Sequence, residues 1–205
     1  MVLENLINPF VAKKHPWEMF FIGFLYNTIA ILLALWIFEE HASLVMVFLT
    51  VMACVPFIYK TIKIEEELDV KVKKESVLMK EHTKVLIFLM FLFLGIMLSV
   101  AVWYVVLPTS IHQNLFNVQS DTIETINNPL TGEATGSFNL FLKIFFNNMK
   151  VLMFCLLFAF FYGAGAIFIL TWNASVIGVA IGNLIKTNIA QYSSYFSVVP
   201  FAILR

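Results

Sequence analysis

The sequence predicts an all-α fold: a polytopic integral membrane helical bundle with about five hydrophobic elements. Three observations predict it. Of the 205 residues, 60% are hydrophobic and only 13% charged, with a mean hydropathy of +0.88; ordinary soluble domains carry roughly 25% charged residues. The charges are gathered into a few segments, separated by apolar runs close to the ~20 residues that a helix needs to cross hydrocarbon. Glycine and alanine recur at helical spacing within those runs, where close helix contact rather than anchoring alone needs them.

Taken in order, residues 1–18 form an interfacial N-terminal segment. Val2, Leu3, Leu6, Ile7 and Phe10 recur at helical spacing and suit a surface helix. Trp17 marks the interface. The first span covers 20–38, interrupted by Asn27 and Thr28. Glu39, Glu40 and His41 form a short turn, and the second span follows over 42–59, with Pro56 expected to kink or end it. The first apolar run, after Trp17, is longer than a signal-peptide core and lacks a small-x-small exit, so it is read as a retained span. Residues 60–84 are charged or amphipathic. Glu67/Lys71 and Asp69/Lys73 stand four apart with the acid first, the favourable helical order, so the second and third spans are expected to continue as helices into water. The third span is 85–107, closed by Trp103, Tyr104 and Pro108.

Residues 108–146 form an extracytoplasmic polar region in this reading. Ile111 to Ile126 is expected as one helix, Asn127-Asn128-Pro129 as a turn, and 138–146 as a surface amphipathic stretch. The fourth span is 149–172. A short or broken span, 174–185, follows; its twelve residues rise only ~18 Å as a helix. Apolar residues resume at 195–205, which reads as the start of a further span in a chain truncated at its C-terminus. Seven lysines lie within 60–84, none in 39–41 and none in 108–137. Basic residues stay cytoplasmic, so the expected location is the cell membrane, multi-pass, with the N-terminus and 60–84 inside and 108–146 outside.

The chemistry is sparse. No ionisable residue lies well inside an expected span, which argues against an ion-coupled carrier. The four histidines, His15, His41, His82 and His112, are dispersed and none has metal-ligand spacing. His112 with Asp121 and Glu124 is the one outer titratable group, read as a solvated helix. No phosphate loop, no nucleophile elbow and no catalytic pairing of carboxylates beside a histidine is read from the sequence. Cys54 and Cys155 read as buried small hydrophobes. Catalytic residues, metal ligands and cofactors are therefore none, no enzyme is expected, and zero net charge gives no reason to expect nucleic acid. The asparagine-glycine signals concentrate after residue 147. Asn147 and Asn148 open the fourth span, with Asn148 a candidate cap. Gly163 and Gly165 notch its middle. Asn173 stands at the expected break, where it satisfies backbone groups or lines a polar pocket. Ala174, Gly178 and Gly182 share one face, and Asn183 ends the element. Gly178 and Gly182 form a GxxxG, usable within the protein or between two copies.

At these residues the chain resembles the stage II sporulation protein M family. The resemblance rests on Asn147-Asn148, on Gly163 and Gly165, and on Asn173 with Gly178 five positions on. The charged 60–84 segment with its Glu65–Glu67 run is similar to the archaeal-type branch. The chain departs from the family pattern in having Asn173-Ala174 where Asn-Gly is usual, and it ends before the His-Gly-x-x-Glu element that relatives carry. The resemblance implies a multi-span membrane protein without a catalytic centre, acting as a scaffold or assembly factor. Lipid is its environment, with protein partners expected at 60–84 and 108–146 and a homo-oligomer left open. The alternative is a permease-like component that binds a small substrate or lipid at the Asn173 break. A third reading, a membrane-embedded hydrolase, needs a His and a Glu beyond Arg205.

Overall fold

A computed structural model describes residues 16–71, 75–132, 141–142, 145–146, 149, 152–153 and 165–203; for 64–71, 75–78, 81, 126–132 and 190–203 it describes the backbone alone. Among these residues the chain is helical and has no strand. That follows from the solvent: within hydrocarbon a helix satisfies every backbone group inside its own segment. Helix α1 is Glu18–Ile37, α2 Ala42–Lys71, α3 Glu75–Val106, α4 Thr109–Leu115, α5 Asn117–Gly132 and α6 Gly165–Ile203. Glu18–Ile37, Glu39–Lys63, His82–Val106 and Gly165–Ile189 are long and apolar enough to cross a membrane.

The helices are built inside out relative to a water-soluble bundle. Helix α1 buries Met19, Gly23, Asn27, Ala30 and Ala34. It turns Phe21, Leu25, Ile29, Leu32 and Trp36 outward. Along α1, mostly small and polar residues, with Met19 and Ile31, meet the neighbouring helices, and large apolar ones are turned to the lipid side. Trp17 and Trp36, near the two ends of the helix, are both exposed, as interfacial aromatics should be. Phe38 ends α1 by donating its N–H to Ala34 O at 2.9 Å. A 3-10 turn, Glu39–His41, then reverses the chain directly into α2.

Helix α3 is the centre of the bundle. It packs most extensively on α1 and α6, while α2 lies against α1 and α6 and closes the ring from the far side. Phe57 of α2 reaches across to stack on Phe88 of α3, with ring centroids 5.3 Å apart. Buried Met46, Leu92, Ile96, Val100 and Val179 fill the middle.

Two closest approaches set the geometry. A Cβ on Gly23 would lie 2.6 Å from Leu92 O, and one on Gly95 would run into the carbonyl of Phe20. A Cβ on Gly178 would lie 2.7 Å from Met97 O and one on Gly182 2.7 Å from the Tyr104 Cβ. Only glycine permits backbones this close. The same contacts fix direction. Residues 23 and 27 of α1 face 92–96 and 99 of α3, and residues 178 and 182 of α6 face 97–100 and 104. Helices α1, α3 and α6 therefore run parallel to one another, and α2 runs against them.

Pro108 ends α3 and starts α4, its carbonyl accepting the N–H groups of Ile111 and His112. Helix α4 crosses the end of the bundle and packs on the 3-10 turn and the start of α2. Leu115 and Phe116 are fully buried there, so the α4–α5 segment closes this end.

Helix α2 runs through Pro56 rather than ending there and continues to Lys71, and α3 starts at Glu75, which are the helical extensions the charged segment predicts. Several other expectations are corrected. The segment expected as one helix over Ile111–Ile126 divides at Phe116, and α5 runs on through Asn127-Asn128-Pro129 to Gly132. The expected division between 149–172 and 174–185 is absent: α6 is continuous from Gly165 through Trp172-Asn173. Its direction also differs. Residues 174–186 approach the end of the bundle where α3 terminates, rather than lying beyond a span that has already returned to the lysine-rich end.

Candidate functional site

Among the described residues, three polar clusters occur in a mostly apolar core. In the first, Asn27 Nδ2 donates to Ser99 Oγ at 2.9 Å. Thr50 Oγ1 lies 3.1 Å from Asn27 Oδ1 and 2.9 Å from Met46 O, with one proton to serve either. Thr28 Oγ1 bonds Ser99 Oγ at 3.0 Å and accepts the Trp103 indole N–H at 3.3 Å. Helices α1, α2 and α3 are thereby joined at mid-span. Asn27, Thr50 and Ser99 are buried and spend their polarity on each other.

In the second, Ser43 of α2 donates to Gln119 Oε1 at 2.7 Å. Gln119 Nε2 approaches Ser175 Oγ of α6 at 3.5 Å, and Ser175 donates to Trp172 O. Gln119 is fully buried, so the start of α5 is wedged between α2 and α6. One turn before Ser175, buried Thr171 Oγ1 has no hydrogen-bond partner among the described residues.

The third is the only one holding ionisable groups, and an ionisable group at a span's end is a functional candidate. Lys186 is half-buried at the end of the apolar part of α6. Its Nζ donates to Leu107 O at 2.9 Å and more weakly to Tyr104 O at 3.4 Å, and it lies 2.9 Å from His112 Nδ1. The ammonium thus caps the carbonyl end of α3, where the helix dipole favours a cation. The His112 imidazole is 7% exposed and tilts on the Tyr104 ring at 4.5 Å. Burial holds its pKa below the ordinary histidine range, and the neighbouring Lys186 charge adds to the depression; the carbonyls of Leu107 and Pro108 pull weakly the other way. Tyr104 Oη reaches Asn183 Oδ1 at 3.5 Å.

The residues singled out in the sequence fall as follows. Gly178 and Gly182 are buried against α3 within one chain, so this GxxxG face is already occupied. Gly165 begins α6. Asn173 is exposed, and its Nδ2 donates to Ile169 O at 2.8 Å, one turn back in the same helix. It satisfies itself on an intact helix, so the expected break is absent. Asn183 is on the outer surface beside Tyr104. Asn147, Asn148 and Gly163 lie outside the described residues, as does Cys155; Cys54 is buried and free. His112 is not on a solvated face with Asp121 and Glu124: those two are exposed on α5, whereas His112 is buried on α4. Among the described residues no group of three His, Cys, Asp or Glu could hold a metal.

Sequence reasoning missed Gly23, Gly95 and Lys186. A signal was present for the first two. Gly23 with Asn27, and Gly95 with Ser99, each place a notch and a polar group four residues apart on one helix face. Lys186 was counted with a polar segment because the apolar run was ended at Ile185.

A bundle with lipid-facing bulk, glycine contacts between helices and four spanning-type helices defines an all-α, multi-pass membrane protein. Residues 85–205 match the family model of stage II sporulation protein M, and the chain belongs to that family. The match takes in α3 from residue 85, the α4–α5 segment and α6, and therefore both His112 and Lys186; α1 and α2 precede it. No curated protein and no solved structure matches the chain.

Proposed function

We propose that this chain is a non-enzymatic scaffold or assembly factor of the cell membrane. Its N-terminus faces the cytoplasm, 60–84 is presented to cytoplasmic partners and 108–146 to extracytoplasmic ones. One observation carries the reading: the interior polarity is used to join helices. Asn27, Thr50 and Ser99 tie α1, α2 and α3, and Gln119 ties α5 to α2 and α6. Such an interior keeps a fixed shape and leaves recognition to the two ends. Helices α2 and α3 both continue past the apolar spans, to Lys71 and from Glu75, which projects a charged helical pair beyond the membrane. The orientation is supported by the lysines: Lys60, Lys63, Lys80 and Lys84 stand at that end, while Lys186, at the other, is turned inward onto carbonyls and His112.

The test replaces 64–81 by a short Gly-Ser loop and compares crosslinked partners recovered from native membranes. The scaffold reading expects the melting temperature of the purified bundle to stay within a few degrees while cytoplasmic partners are lost. Recovery of the unaltered chain alone, after crosslinking and under mild detergents, would contradict it.

A further inference from the structure

The bond between α4 and α6 has an unusual chemistry. Lys186 has three N–H groups, and all three are directed to protein acceptors: Leu107 O, Tyr104 O and His112 Nδ1. No donor is left over for an anion, so the cluster is not built as an anion site. The acceptors are also unlike. Two are carbonyls and keep their lone pairs at any pH. The third is an imidazole nitrogen, which accepts only while it is unprotonated.

We propose that the His112–Lys186 contact is a proton-released latch, which holds the α4–α5 segment over the end of the bundle and frees it when the compartment on that side acidifies. A proton arriving at Nδ1 removes the acceptor. It also places an imidazolium against an ammonium where the nitrogens were 2.9 Å apart. Like charges at that distance in a partly desolvated site repel strongly, and α4 is the smaller part, able to move. It is a seven-residue helix held otherwise by Leu115, Phe116 and the Gln119 wedge. The depressed pKa of His112 agrees with this arrangement. Among the described residues no carboxylate faces the site. From α3 the facing titratable group is Tyr104, and from α6 it is Lys186. On α5, Asp121 and Glu124 are exposed, as are Glu39, Glu40 and His41 of the turn on which α4 packs. His41 is the one other histidine near this end and serves as the control.

The experiment is hydrogen exchange on the full chain in lipid nanodiscs at pH 7.5 and 5.5, read as protection factors so that the intrinsic pH dependence cancels. Amides of 112–119 are expected to lose at least about tenfold in protection at the lower pH, while α3 amides near Ser99 keep theirs. H112Q, whose side-chain oxygen still accepts from Lys186 but does not titrate, should hold protection at both pH values. H41Q should behave as the parent chain. K186Q removes the repulsion, so its loss of protection should be smaller than that of the parent. Unchanged protection of 112–119 in the parent chain, or a full response persisting in H112Q, overturns the proposal.

Discussion

At the scale of single residues, glycine and asparagine govern this protein. Gly23 and Gly95 let the backbones of α1 and α3 touch, and a methyl group at either would meet backbone atoms. At Gly182 it would meet the Tyr104 Cβ, which is fixed to the α3 backbone. None of these atoms steps aside without moving a helix, and the overlap is deepest at Gly95. Gly23→Ala, Gly95→Ala and Gly182→Ala should therefore each cost about 1–3 kcal/mol, the usual penalty of overpacking, with Gly95→Ala the costliest. Unfolding of the three variants in one detergent measures this; Gly95→Ala as the mildest of the three would contradict it. Leu25→Ala, on the lipid face, should change stability little. Asn27→Leu strips Ser99 and Thr50 of their shared partner and should cost about 0.6–1.7 kcal/mol, the range of hydrogen bonds between membrane helices. The Gly178–Gly182 face was legible as a surface for close packing because two notches four apart stand out. The Gly23–Gly95 contact was half legible: each glycine stands four residues from a polar group on its own helix, but only their pairing in space joins the two helices.

At the scale of elements, the instructive case is α6. A polar residue between two apolar runs reads as a break, because unsatisfied polarity is expensive in lipid. Asn173 avoids the expense by donating to Ile169 O, and the helix continues. Local hydrogen bonding thus decides what composition could not. The α4–α5 segment is the other case. Its polar sequence suggested a solvated helix, yet His112, Leu115, Phe116 and Gln119 are buried, because the segment folds back over the bundle's end. Stability should follow the pH accordingly. The folded state depresses the His112 pKa, so the unfolded chain binds this proton more readily. The stabilisation is complete above the ordinary histidine value of about 6.5 and is lost as the pH falls through and below it. The melting temperature should drop from pH 7.5 to pH 5.5, by less in H112Q than in the parent chain. An equal drop in both would remove His112 as the cause.

At the scale of the whole molecule, composition sufficed for the class and spacing for most of the spans. The arrangement needed tertiary contacts. Helices α1 and α6 clasp α3 from two sides, all three pointing the same way. Reading a break at Asn173 divides α6 into two elements, and only the contacts with α3 show one helix running parallel to it. The parallel clasp is the central claim, and sidedness tests it most directly. In a cysteine-free background, single cysteines at Glu40, Met79 and Ile189, all exposed, would be labelled from one side of sealed vesicles with an impermeant maleimide. Positions 40 and 189 should react from the same side and position 79 from the other. Position 189 reacting together with position 79 would contradict the arrangement.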